Sequence, residues 1–62
     1  MRSDLYDLMV EIKAQTNTQI LVSDGQREAW LPKSEVEIEP SEIGGIHIVT
    51  APEWLLMDRG LV

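Results

Sequence analysis

The chain has 62 residues, which allows one domain with a thin core, because a domain of about 60 residues buries only about 60% of the surface its unfolded chain exposes. With no cysteine and one histidine, a disulfide framework is excluded and a structural zinc site nearly so. Eleven acidic against five basic residues give a formal charge of −6, which opposes direct binding to duplex DNA and favours a basic partner.

The start, MRSDLYDLMVEIK, has neither the cationic lead nor the apolar run of a signal peptide. No apolar stretch approaches the roughly 20 residues that span a bilayer. The expectation is a soluble protein of the bacterial cytoplasm with no membrane contact. It would be a single domain over residues 1–62, loose over residues 1–5, and monomeric or weakly dimeric.

From Asp7 to Gln15 two patterns compete. Leu8, Val10, Ile12 and Ala14 alternate as in a strand, while Leu5, Leu8, Met9 and Ile12 form a helical stripe with Ser3 as cap. The β-branched Val10 and Ile12 favour the strand. Thr16-Asn17-Thr18 reads as a turn into a second strand over Gln19 to Ser23. Asp24-Gly25 is the strongest hairpin signal in the chain, since these residues accept the positive φ angles of tight turns. REAWL follows as a third strand, ended by Pro32, and Lys33-Ser34 redirects the chain.

The next segment, SEVEIE, alternates Glu35, Glu37 and Glu39 with Val36 and Ile38. As a strand it would bury the two β-branched residues and set three carboxylates on the other face. Pro40 closes it, Gly44-Gly45 turns the chain, and IHIVT makes a fifth strand with Ile46 and Ile48 directed inward. Thr50-Ala51-Pro52-Glu53 has capping-box spacing, Pro52 suits a first helical turn, and Gly60 supplies a left-handed stop. The helix between them would pack Trp54, Met57 and Leu61 on the sheet.

These elements predict a mostly β (α+β) fold: a small, bent antiparallel sheet or partly open barrel of about five short strands, with one C-terminal helix. The predicted core comprises Leu8, Val10, Ile12, Ile20, Val22, Leu31, Val36, Ile38, Ile46, Ile48, Trp54 and Leu61. Trp30 is out of phase with Ala29 and Leu31, so its face is left open.

Little in the chain looks like catalysis. His47 has no cysteine to activate, no serine has a placed base, and the acids lack calcium-loop spacing. The expectation is a protein that is not an enzyme and holds no cofactor or metal. The distinctive feature is the set Glu35, Glu37, Glu39 and Glu42, with no base between Lys33 and Arg59. It would serve equally as a solvated face that resists edge pairing. As a binding surface it has suggestive geometry. Alternate strand residues stand about 6.6–6.8 Å apart, twice the 3.4 Å rise per nucleotide of one DNA strand, so the carboxylates can stand in for phosphates. Trp30 joins these four as a candidate partner contact, because tryptophan is frequent at interface hot spots.

The string ILVSDGQREAWLPKSEVEIE followed by VTAPEWLLMDRGLV resembles a group of short proteins of phages and prophages, over about residues 19–62. In that group an extended segment ends in Trp-Leu-Pro-Lys-Ser, and the chain closes with a Pro-Glu-Trp-Leu helix and a Gly-Leu tail. The resemblance supplies no catalytic residue. Trp30, Leu31, Pro32, Lys33, Ser34, Pro52, Glu53 and Trp54 carry over as structural positions. By size and charge the chain is also similar to anti-CRISPR proteins, several of which occupy nucleic-acid-binding surfaces as charge mimics. The implied function is an inhibitor that binds a basic, nucleic-acid-handling surface of a host protein complex. The alternative is an accessory module of phage DNA replication or recombination, in which Trp30 and Lys33 contact single-stranded DNA or a partner enzyme.

Overall fold

The computed structural model describes residues 4–62. Its strands are β1 (Leu5–Gln15), β2 (Gln19–Ser23), β3 (Glu28–Pro32), β4 (Glu37–Pro40) and β5 (His47–Pro52). A 3₁₀ turn over Lys33–Glu35 joins β3 to β4, and helix α1 (Glu53–Asp58) follows β5. All neighbouring strands are antiparallel, in the order β3-β2-β1-β5-β4, and the sheet stays unclosed. The predicted fold class is therefore the observed one. Leu5 already belongs to β1, so the loose start expected over residues 1–5 does not extend to it; residues 1–3 lie outside the described residues.

β1 organises the sheet. Its first half pairs with β5, from Leu5 opposite Pro52 to Val10 opposite His47, and its second half pairs with β2. Within the second half Lys13 has no cross-strand partner, because Ile12 faces Val22 and Ala14 faces Leu21. Such a bulge bends its strand and raises the local twist, which is how one 11-residue strand serves both halves of a curved sheet.

The turns follow local chemistry. The Thr16 hydroxyl accepts from the Thr18 and Gln19 amides, at 3.3 and 3.0 Å. At the β2-β3 hairpin the Asp24 carboxylate accepts from the Gln26 and Arg27 amides, at 2.9 and 2.8 Å, and Gly25 takes φ +101°. Those amide bonds hold the Asp24 carboxyl below its ordinary pKa. A carboxyl depressed in the folded state stabilises it above the unfolded pKa of about 3.9, and the contribution disappears as pH falls through the folded value. Asp24→Asn should flatten this part of the acid limb in a pH series of denaturant midpoints; an unchanged limb would contradict the assignment.

Inward-facing residues from every strand but β4, together with α1 and the tail, build the core: Val10, Ile20, Val22, Leu31, Val49, Ala51, Leu55, Leu56 and Leu61 are buried. Leu8, Ile12, Ala29 and Val36 pack against them. Four expected core residues lie elsewhere. Ile38 shares the inward side of the sheet with Val49 but sits on the edge strand and is partly exposed. On β5 the phase is reversed, with Val49 and Ala51 inward and Ile46 and Ile48 only half-buried. Trp54 and Met57 project into solvent, and Leu55 and Leu56 fill the places assigned to them.

The expected capping box does not form. β5 continues through Pro52, so the Thr50 hydroxyl donates to Asp7 Oδ1 at 2.6 Å instead of reaching the helix. The Glu53 amide is satisfied by the Asp4 carbonyl at 2.7 Å, so the residue just before β1 supplies an acceptor at the helix start. The C-terminal stop is as expected. Gly60 at φ +77° allows its amide to reach the Met57 carbonyl and the Leu61 amide to reach Leu56, a Schellman arrangement that tucks Leu61 into the core. Arg59 Nε then donates to the Trp30 carbonyl at 2.9 Å, tying the helix end to the edge of β3. Gly60→Ala should cost about 1–2 kcal/mol, because an L-residue there is held left-handed, with added Cβ 3.1 Å from the Arg27 guanidinium. A denaturant midpoint equal to wild type would contradict that.

Candidate interaction surface

Side chains opposite one another across antiparallel strands share a face. Registers therefore place Glu37, Thr50 and Asp7 in one row across β4, β5 and β1, and Glu39, Ile48 and Met9 in the next. Both rows face away from Val10 and Val49, hence away from the core. Within the first row the Thr50 hydroxyl fixes Asp7 by the 2.6 Å bond. Glu37 and Asp7 lie two strand spacings apart, about 9.5 Å, and Glu37 and Glu39 about 6.6–6.8 Å apart along their strand.

The three-carboxylate strand ladder is only partly realised. Glu35 lies in the 3₁₀ turn, and β4 starts at Glu37. Pro32 starts that turn, which the Val36 amide closes on the Lys33 carbonyl, so extended structure resumes two residues later than alternation suggests. Glu35 and Glu37 still share a shallow cleft of about 140 Å³, lined also by Leu5, Ser34, Val36 and Thr50. Glu42 is exposed in the turn after β4.

Trp30 is at the other end. It lies on β3, in a row with Leu21 and Ala14, on the edge of the sheet opposite β4. Its side chain faces away from the core and is 40% exposed, which resolves the phase of the β3 segment in favour of Leu31 inward. The five candidate contacts thus form an acidic group around β4 and a separate aromatic position.

Charge divides along the same line. Residues 4–10 and 37–52, which hold β4, β5, the turn between them, and the first half of β1 with the residue before it, carry five acids (Asp4, Asp7, Glu37, Glu39 and Glu42) and no lysine or arginine. Residues 11–36 carry four acids and three bases, and there Lys13 pairs with Glu11 at 3.3 Å. Nearly all of the negative excess therefore sits on one half of the sheet. Asp7 was not singled out in the sequence, although its alternation with Leu8 and Val10 signals an outward carboxylate.

Among the described residues no group of three or more His, Cys, Asp or Glu side chains is placed to hold a metal ion, and no helix is long and apolar enough to cross a membrane. His47 Nδ1 is buried without a hydrogen-bond partner. Comparison with protein-family models, curated proteins and solved structures finds no match to this chain. Fold and surface together define a small β domain with a one-sided acidic face.

Proposed function

We propose that the protein is a non-enzymatic inhibitor of anti-CRISPR kind, which occupies a basic, nucleic-acid-handling surface of a host protein complex in place of the nucleic acid. The observation that supports this reading is the segregation of charge: among the described residues, five acids and no lysine or arginine in and beside the half-sheet that carries Glu37 and Glu39. Rows of carboxylates held at strand spacings present a fixed pattern of negative charge, and a complementary positive patch is steered onto it and held in register. Met9, Ile48 and Leu5, on the same outer face, add apolar area that a phosphate backbone lacks.

The test is capture from host lysate with the wild type and with a Glu35→Gln/Glu37→Gln/Glu39→Gln variant. The wild type should retain a nucleic-acid-handling complex that added nucleic acid releases, and the folded variant should not retain it. Equal capture by both proteins would refute the reading. The exposed Trp30, on a half of the sheet that is almost neutral, favours a second reading as an accessory module that stacks a single-stranded base, a contact worth about 1–3 kcal/mol. In that case Trp30→Ala abolishes binding and the Gln variant does not.

A further inference from the structure

Helix α1 turns its largest side chains away from the core. Leu55 and Leu56 are buried, whereas Trp54 is 61% exposed and Met57 60% exposed, three residues apart on one helix face. Tyr6 lies alongside: its hydroxyl donates to Glu53 Oε2 at 3.3 Å, and the Glu53 carboxylate, through its charge and this bond, holds the phenol above its ordinary pKa. Arg59, which follows the helix, is directed to the Trp30 carbonyl and to Asp58.

Resting on the inhibitor reading above, we propose that the Trp54 and Met57 face docks an arginine side chain from a basic segment of the partner protein, stacked on the Trp54 ring with the Glu53 carboxylate in reach. Tryptophan is the strongest aromatic platform for a cation. Arginine suits it better than lysine, because a planar, weakly hydrated guanidinium stacks on the ring and pairs with a carboxylate through two parallel bonds. Charge complementarity selects this occupant. Glu53 precedes Trp54 on the same helix, and Asp58, paired with Arg59, follows Met57. A second copy of the chain would bring its own −6 to the same place.

The experiment titrates the isotope-labelled full chain with nona-arginine and, separately, nona-lysine at low salt, following the two indole N–H resonances, with Trp30→Phe to assign them. The arginine peptide should shift the Trp54 indole and bind tighter than the lysine peptide by up to about two- to fivefold, the full worth of an exposed cation–π contact. Trp54→Ala should remove that preference, and Trp30→Phe should leave it intact. Equal affinities with a stationary Trp54 indole, movement of Trp30 instead, or no binding of either peptide would overturn the proposal. So would concentration-dependent dimerisation that Trp54→Ala abolishes, since the face would then belong to a second copy. The Glu35, Glu37 and Glu39 variant separates the two readings, because it weakens both peptides alike and leaves the ratio between them unchanged.

Discussion

Leu56→Ala should remove a large share of the protein's stability. The side chain is fully buried beside Leu55 against the sheet, and truncating such a leucine costs about 2–5 kcal/mol through lost transfer energy and the cavity left behind. A domain of this length has only about 3–9 kcal/mol of stability in total. Trp54→Ala, two positions away on the same helix, should shift the denaturant midpoint by no more than about 0.5 kcal/mol, as exposed positions usually do. Thermal and urea melts followed by circular dichroism would show the contrast. A collapsed Trp54→Ala and an unaffected Leu56→Ala would mean that the helix sits on the sheet by its other face.

That contrast marks the limit of what the sequence alone could convey. Strand positions were legible where backbone chemistry is restrictive: Asp24-Gly25 at the β2-β3 hairpin, Pro32 at the end of β3, Gly60 beyond the helix. The strand preference of β1 followed from its β-branched residues. Side-chain direction was not legible where apolar residues occupy both phases. Trp54, Leu55, Leu56 and Met57 are four consecutive apolar residues, so periodicity cannot choose a buried face. Ile46, Ile48, Val49 and Ala51 do the same for β5, and pairing of Val49 with Leu8 decides it. The capping box failed because the register of β5 with β1 engages Thr50 with Asp7, a contact 43 residues apart in sequence. The acidic face was half legible: Glu37 and Glu39 follow from alternation, whereas Glu35 is displaced by the 3₁₀ turn, and Asp7 joins them only through the sheet.

The combined change of Glu35, Glu37 and Glu39 to glutamine should leave the fold intact and weaken partner binding. All three side chains are exposed, so their loss removes no packing. Each exposed charge contact contributes about 0.2–1 kcal/mol, so three together correspond to roughly a 3- to 150-fold loss of affinity. Wild-type binding should also weaken steeply as salt rises from about 50 to 300 mM, since screening shortens over that range, and the variant should show a shallower slope. Calorimetry on the captured complex would give both quantities. Identical slopes for the two proteins would place the binding energy in apolar contacts.

The central claim is that this acidic face takes the place of nucleic acid on its partner, and exclusion is its most direct test. A labelled oligonucleotide bound to the captured complex should be displaced by the protein in strict competition, its apparent dissociation constant rising linearly with protein concentration. A ternary assembly, in which the complex holds oligonucleotide and protein together with neither affinity altered, would contradict it.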